Sequence, residues 1–228
     1  MKYRGDFGVK VSSTTIFESG AGRVFSLYKS DTGELAAIVQ VFSMGAMRTG
    51  AASGVASKYM ARKDSARLGV IGSGRQARTQ VEAICKTRPI REVLVFSPGA
   101  ENRAAFCADL VADASLCNIT LSPVERAEDA VRDCDVVVTA TTATEPVLKG
   151  AWLSPGTHIN AIGANYEYRR ELDSAAVARA SVIATDDLQQ VKYEATESCD
   201  TGSRRNPALG SGVRARRHRR RKPLRADQ

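Results

Sequence analysis

The sequence predicts an α/β protein: a doubly wound parallel sheet, preceded by a smaller, incomplete α+β unit. Three observations predict it. Between residues 63 and 192, short apolar runs alternate with helical stretches, the pattern of a parallel sheet covered by helices on both faces. At residues 68–77 an apolar strand, Leu68-Gly-Val-Ile, breaks into Gly-x-Gly-x-x-Ala and a helical stretch. Before residue 62, strand-like pieces follow one another with no helix between them.

Taken in order, strands are expected at 8–12, 23–28 and 35–42. Asp31-Thr-Gly33 supplies the turn that joins the last two as a hairpin. A helix over 49–61, rich in Gly, Ala and Ser, suits close packing on another element. The second region predicts strands at 67–71, 92–96, 119–121, 135–139, 157–162 and 180–184. Helices are expected at 75–87, 101–114, 124–132 and 173–179. The boundaries that result are 1–62, 63–192 and 193–228.

The glycine turn carries the first chemical implication. Gly72 permits a tight turn, Gly74 lets the backbone approach a ligand closely, and Ala77 is small enough for the helix to pack on its strand. The helix that follows points its free N–H groups and positive dipole end at the same place, where a pyrophosphate fits. This is the arrangement of a Rossmann-type dinucleotide site. The second strand ends at Ser97, followed by Pro98 and Gly99, with Arg103 shortly after. A strict NAD site usually places a carboxylate there. A neutral hydroxyl near a cation tolerates a 2′-phosphate, so NADP, or dual use with NAD, is favoured. Ser97 reads equally well as the start of a turn, and Arg103 as a solvated helix residue. Thr139, Thr141 and Thr142 fall just beyond one strand and Gly163-Ala-Asn165 beyond another, where a nicotinamide ring would lie. Hydroxyls capping the next turn would explain the threonines as well.

Composition narrows the class. The chain has 33 Lys and Arg against 25 Asp and Glu, a net charge of +8. All of the excess lies in residues 199–228, which hold ten cations and two acids, while residues 1–198 are balanced. That tail has no apolar period and is expected to be disordered. It lacks the aromatics of a single-strand-binding segment. From about residue 197 it reads better as out-of-frame translation of a GC-rich gene than as a nucleic-acid arm. No run approaches the ~18 apolar residues of a membrane span, and no signal peptide opens the chain, so no membrane partner and a cytoplasmic location are expected. Five cysteines show no C-x-x-C pair, and His158 and His218 are the only histidines. Reduced thiols and no metal site are expected.

Several ordered motifs resemble the ornithine cyclodeaminase/μ-crystallin family. They are Gly8-Val-Lys-Val; Met47-Arg-Thr-Gly-Ala-Ala-Ser-Gly-Val-Ala-Ser-Lys-Tyr-Met-Ala; the dinucleotide turn with Gln76-Ala77; Thr139-Ala-Thr-Thr-Ala-Thr-Glu-Pro-Val-Leu; Trp152 to Ala164; and Arg170-Glu-Leu-Asp. The resemblance runs from about residue 8 to 195. It implies a homodimer, with a substrate/dimerisation domain (here the partial 1–62) and a central NAD(P)-binding domain (63–192). It also implies a small amino acid or cyclic imine as substrate. Carried over, Lys10 contacts the substrate carboxylate and Arg48 both substrate and cofactor. Arg75 and Gln76 join Gly72, Gly74 and Ala77 over the pyrophosphate, and Ser97 reaches the adenosine ribose. Thr139 and Thr141 lie near the cofactor, Ile162, Gly163 and Ala164 wall the nicotinamide, and Arg169 stands close by. Lys10 and Asn165 are the candidate catalytic residues. Read without the family, Lys10 and Arg48 are equally at home as solvated surface cations.

Two departures qualify what the resemblance implies. Cyclodeaminases carry an Asp where this chain has Asn165, and a carboxamide does not exchange a proton as a carboxylic acid does. Imine reduction or amino-acid dehydrogenation is therefore expected ahead of ornithine cyclodeaminase (lyase) chemistry. A non-catalytic NADPH-binding protein, or an inactive truncated member, is the further alternative. Met1 falls inside the family's first domain and the basic tail stands where that domain should be completed, so both ends are expected to be truncated. The homodimer is expected only with the ends complete.

Overall fold

The computed structural model describes residues 2–3, 6–12, 23–164 and 168–186. The basic tail and Asn165 lie outside the described residues. Two sheets are present among the described residues. The first is antiparallel, in the order β1 (Lys2–Tyr3), β2 (Asp6–Ser12), β3 (Arg23–Lys29), β4 (Leu35–Gln40). The β3–β4 hairpin turns at Asp31–Gly33, where Gly33 closes back on Lys29. The register places Phe7, Val9 and Val11 on one face, and Val11 and Ile38 are each 65% exposed.

Helix α1 (Met44–Met60) starts five residues before the expected helix. Its buried residues are Ala46, Gly50, Ser53, Gly54 and Ser57, one face at helical spacing made only of small side chains. That face lies on α2 (Arg75–Cys85), which follows β5 (Arg67–Ile71). A Cβ on Gly50 would stand 2.4 Å from the Thr79 carbonyl oxygen, so the two helices meet backbone to backbone. Polar contacts fix the seat. The Thr79 hydroxyl donates to the Ala46 carbonyl at 2.9 Å, and Arg88 Nη2 donates to the carbonyls of Lys58 and Ala61 at the C-terminal end of α1.

The second sheet is parallel throughout. Its other strands are β6 (Glu92–Phe96), β7 (Thr120–Pro123), β8 (Val136–Thr139) and β9 (His158–Ala161), and its order is β7-β6-β5-β8-β9. Numbered within this sheet the order is 3-2-1-4-5, so the topology reverses between β5 and β8. Helix α3 (Ala100–Val111) follows β6. Leu68, Val70, Val93, Val95, Val136 and Val138 form the core with Ala77, Val81, Ile84 and Leu110 from α2 and α3, and all are buried. The expected α/β class and parallel sheet are observed.

Two expected elements are absent among the described residues. Residues 124–132 form no helix: short turns close them, with Asp129 N–H donating to Arg126 and Val131 N–H to Glu128. Arg126–Asp129 and Arg132–Glu128 ion pairs tighten these turns, and Asp133 ends them in the left-handed conformation. Residues 180–184 are not a strand. A short apolar run does not by itself supply a neighbour to pair with, and Val182 is exposed. The expected helix at 173–179 is the short α4 (Ser174–Ala178), capped by the Asp173 carboxylate accepting the Ala176 N–H.

Asp135 ties β8 to β5. Its carboxylate accepts the N–H groups of Ala66 at 2.7 Å and Arg67 at 3.0 Å and pairs with Arg62. Burial raises this carboxyl, but the two backbone donors and the Arg62 and Arg67 charges together outweigh it and hold it below its ordinary value. A depressed folded-state pKa stabilises the fold above the unfolded pKa, and that stability is lost as pH falls through the folded value. Asp135→Asn is expected to cost roughly 1–3 kcal/mol at pH 7. The difference from wild type should shrink as pH falls below the ordinary carboxylate range and through the depressed folded-state value. Urea unfolding at pH 7 and across the acid range checks it; an equal loss at every pH would contradict the assignment.

Candidate functional site

The carboxyl ends of the parallel strands, around the reversal between β5 and β8, form the candidate site. After Ile71 the chain turns at Gly72 with φ +114°, a conformation that side-chain-bearing residues rarely adopt. The Gly72 N–H donates to the Phe96 carbonyl at 2.8 Å, and the Ala140 N–H donates to Ile71 at 2.9 Å. The turn is thus pinned to the strands on either side of it. A Cβ on Gly72 would lie 2.4 Å from the Ala140 carbonyl oxygen, whereas one on Gly74 would meet nothing within 4 Å among the described residues. The turn is closed on its protein side and open on the other.

Gly74 is the N-cap of α2, with no side chain capping the helix and no acidic residue in its first turn. The first N–H groups of a helix have no partner within it. Here they face outward with the positive end of the dipole, as an anion requires. Ala77 is completely buried against the sheet, which allows this close seating. The exposed Arg75 guanidinium stacks 4.5 Å from the Phe42 ring centroid, just before α1. Gln76 has a buried Oε1 with no partner among the described residues.

Ser97 is buried at the end of β6. Its carbonyl accepts a hydrogen bond from Arg103 Nη1 at 3.0 Å. Arg103 is therefore neither a fully solvated helix residue nor a loose cation: it braces the turn that holds Ser97.

Beyond β8 and β9, Thr139, Thr141 and Gly163 converge on one side chain that the sequence did not single out. Glu171 is completely buried. Its Oε2 accepts the Thr139 hydroxyl at 2.8 Å and the Gly163 N–H at 2.7 Å. Its Oε1 accepts the Thr141 N–H at 2.6 Å and the Thr141 hydroxyl at 2.7 Å. The Ile162 N–H donates to the Thr139 carbonyl, joining the same two strand ends. Ala164 is half-buried on the β9 side, and Arg169 is half-buried with its guanidinium 5.9 Å from the Tyr168 ring centroid. Sequence offered one signal for Glu171, its place in Arg170-Glu-Leu-Asp, but no period marked it as buried.

The structure brings Gly72, Gly74, Arg75, Gln76, Ala77, Ser97, Thr139, Thr141, Ile162, Gly163 and Ala164 to one end of the parallel sheet. Lys10 and Arg48 lie on other elements, β2 and α1. Lys10 is exposed on β2, paired in register with Phe25, and Arg48 is exposed on α1. Neither makes a hydrogen bond or ion pair among the described residues.

No group of three or more His, Cys, Asp or Glu placed to hold a metal occurs among the described residues. Burial pushes the Cys85 and Cys134 thiols up to about 12, and raises Cys107, so these remain unreactive thiols at neutral pH. No helix among the described residues is long and apolar enough to cross a membrane.

Residues 19–211 match the ornithine cyclodeaminase/mu-crystallin family. The chain is 38% identical over 190 residues to an alanine dehydrogenase of Archaeoglobus fulgidus, covering 82% of this chain and 53% of that protein. A solved Thermococcus litoralis Delta(1)-pyrroline-2-carboxylate reductase in complex with NADH and L-proline superposes with a TM-score of 0.71 at 40% identity, over 77% of this chain and 54% of that one. An archaeal alanine dehydrogenase dimer with bound NAD superposes with a TM-score of 0.75 at 34% identity, over 87% and 61% respectively. The chain spans about half the length of the relatives it matches.

Proposed function

Because this chain belongs to the ornithine cyclodeaminase/mu-crystallin family, we propose that it is an NAD(P)-dependent oxidoreductase interconverting a small amino acid with its imine, or reducing a cyclic imine. One observation carries this reading: a glycine turn open only on its outer side, leading into an uncapped helix N-terminus at the reversal of a parallel sheet. That site matches a pyrophosphate in charge and in donor groups.

In this reading Gly72, Gly74, Arg75, Gln76 and Ala77 hold the pyrophosphate. Arg75 is oriented by Phe42, and Ser97 takes the adenosine ribose. Thr139, Thr141, Ile162, Gly163 and Ala164 line the nicotinamide half, with Arg169 close by. The bound cofactor supplies or accepts the hydride. The protein's part is to orient the ring, exclude water and hold the substrate carboxylate through Lys10 and Arg48. Guanidinium and ammonium groups suit that task, the first through paired donors. Asn165 orients the imine or amine nitrogen by hydrogen bonding. An amide there does not exchange a proton, so reduction or dehydrogenation is preferred over cyclodeamination.

NADP is preferred because no carboxylate stands at the end of β6 and Arg103 lies beside Ser97. The named relatives' structures hold NADH and NAD, so the preference rests on this chain's own residues. The exposed apolar face carrying Val9, Val11 and Ile38 supports a homodimer, as in the archaeal alanine dehydrogenase dimer. A cytoplasmic location accords with a pyridine-nucleotide enzyme.

Fluorescence titration through Trp152 and the reduced nicotinamide is expected to show saturable binding, tighter for NADPH than for NADH. Deuterium should then pass from labelled NADPH to a cyclic ketimine. A second reading, a binding protein without turnover, is favoured by Asn165, an amide where cyclodeaminases carry an Asp. Saturable binding with no label transfer to any ketimine or from any amino acid would select it.

A further inference from the structure

Glu171 stands between two turns that the dinucleotide reading assigns to the same half of the cofactor. We propose that it is a positioning residue, a carboxylate clamp that sets the spacing of the turns after β8 and β9 and thereby the nicotinamide subsite; this rests on the dinucleotide reading above. The main chain at Glu171 is itself anchored. Its carbonyl accepts the N–H groups of Val147 at 2.9 Å and Leu148 at 3.0 Å, and Leu172 bridges Leu148 beside it. From that fixed base the side chain reaches residues 8, 30 and 32 positions away in sequence.

The distribution of donors shows why a carboxylate stands here. Each oxygen accepts one backbone N–H and one threonine hydroxyl. Oε1 takes both from Thr141, and Oε2 takes the N–H of Gly163 and the hydroxyl of Thr139. A hydroxyl rotates and reverses its role, but a backbone N–H only donates. Glutamine has the same shape and one oxygen. Whichever way its amide is turned, the NH2 group faces the N–H of either Thr141 or Gly163, donor against donor. One of the two turns is then released from the clamp and pushed away. Aspartate is one methylene short and reaches only one side.

The pyrophosphate turn touches the clamped segment at Ala140 and Thr141 but is held by hydrogen bonds of its own. Gly72 is pinned by Phe96 and Ala140 by Ile71, without Glu171. Loss of the clamp should therefore injure the nicotinamide half of the site and spare the ADP half.

The test compares the full chain with Glu171→Gln and with Thr139→Val, which removes one hydroxyl and keeps every backbone donor. NADPH, NADH and ADP-ribose are titrated against each, and thermal melting is followed by circular dichroism. Glu171→Gln is expected to weaken the reduced dinucleotide roughly tenfold, as loss of a hydrogen bond to a charged group implies. It should also abolish the emission enhancement of the bound nicotinamide and leave ADP-ribose affinity within about twofold. Thr139→Val is expected to change emission in the same direction and affinity by roughly threefold. Unchanged dinucleotide binding and emission in Glu171→Gln would overturn the clamp. So would an equal loss of dinucleotide and ADP-ribose, which marks a residue that only stabilises the fold. If Glu171→Gln does not fold, Thr139→Val decides: reduced emission with ADP-ribose affinity kept supports the clamp, and unchanged emission overturns it. A wild-type chain that binds neither dinucleotide nor ADP-ribose removes the cofactor reading itself, and the clamp with it, before any variant is compared.

Discussion

Gly72→Ala is expected to weaken NADPH binding at least about 100-fold, the equivalent of roughly 2.7 kcal/mol. Two effects act together. Gly72 adopts φ +114°, where a residue with a side chain carries about 1–3 kcal/mol of strain. Its new methyl would also stand 2.4 Å from the Ala140 carbonyl oxygen, which is backbone and has little freedom to retreat. The turn relieves the overlap by moving off β8, and that breaks the alignment of the α2 N-terminus with the strand ends. Gly74→Ala is the matched control. Gly74 has φ −87° and ψ 178°, and its added methyl meets no atom of the described residues within 4 Å. That variant should melt at the wild-type temperature yet bind dinucleotide more weakly, because the methyl occupies the ligand side of the turn. Fluorescence titration and thermal melting separate the two. Wild-type affinity in Gly72→Ala would remove this turn from the binding site.

Gly50→Leu is expected to destabilise the protein by about 3 kcal/mol, the upper end for overpacking a tight interface. The first atom of any side chain at Gly50 would overlap the Thr79 backbone, 2.4 Å from its oxygen and 2.8 Å from its carbonyl carbon. Relief requires α1 to lift from α2. Lifting breaks the Thr79 hydroxyl bond to Ala46 and the Asn160 amide bond to the Ser57 hydroxyl, 3.0 Å long and buried. Leaving those polar groups unpaired adds to the loss. Val55→Leu, on the exposed side of the same helix, should stay within about 0.5 kcal/mol of wild type. Denaturant unfolding measures both. A Gly50→Leu chain with an unchanged midpoint would show that α1 does not sit on α2. Because Arg48 rides on α1, the same variant should also impair any substrate contact made by that arginine.

Much of the parallel sheet was legible because its signals are local. Runs such as Val136-Val-Val bury both faces of a central strand, and Gly72, Gly74 and Ala77 mark a strand–turn–helix corner by size and backbone freedom alone. The helix expected at 124–132 gives way to turns, because the Arg126–Asp129 and Arg132–Glu128 pairs serve tight turns as well as a helix. Residues 180–184 misled because apolar character does not name a neighbouring strand. The extent of α1 was missed at its N-terminal end: Met44 to Arg48 show no cap or period that announces a helix, and Ser43 makes no capping bond there.

The sequence by itself determined the α/β class, the order of the five parallel strands' segments, the glycine turn and the family. Each depends on residues close together in the chain, where period, side-chain size and backbone preference act directly. Only the tertiary structure decided that α1 packs on α2 through its smallest residues, and that Arg103 braces the turn bearing Ser97. It alone decided that Glu171 is buried with its two oxygens shared between the ends of β8 and β9. A carboxylate's burial depends on which donors surround it, and those donors reach Glu171 from residues 8 to 32 positions earlier. That proximity is a product of the strand order, which no local pattern around Glu171 records.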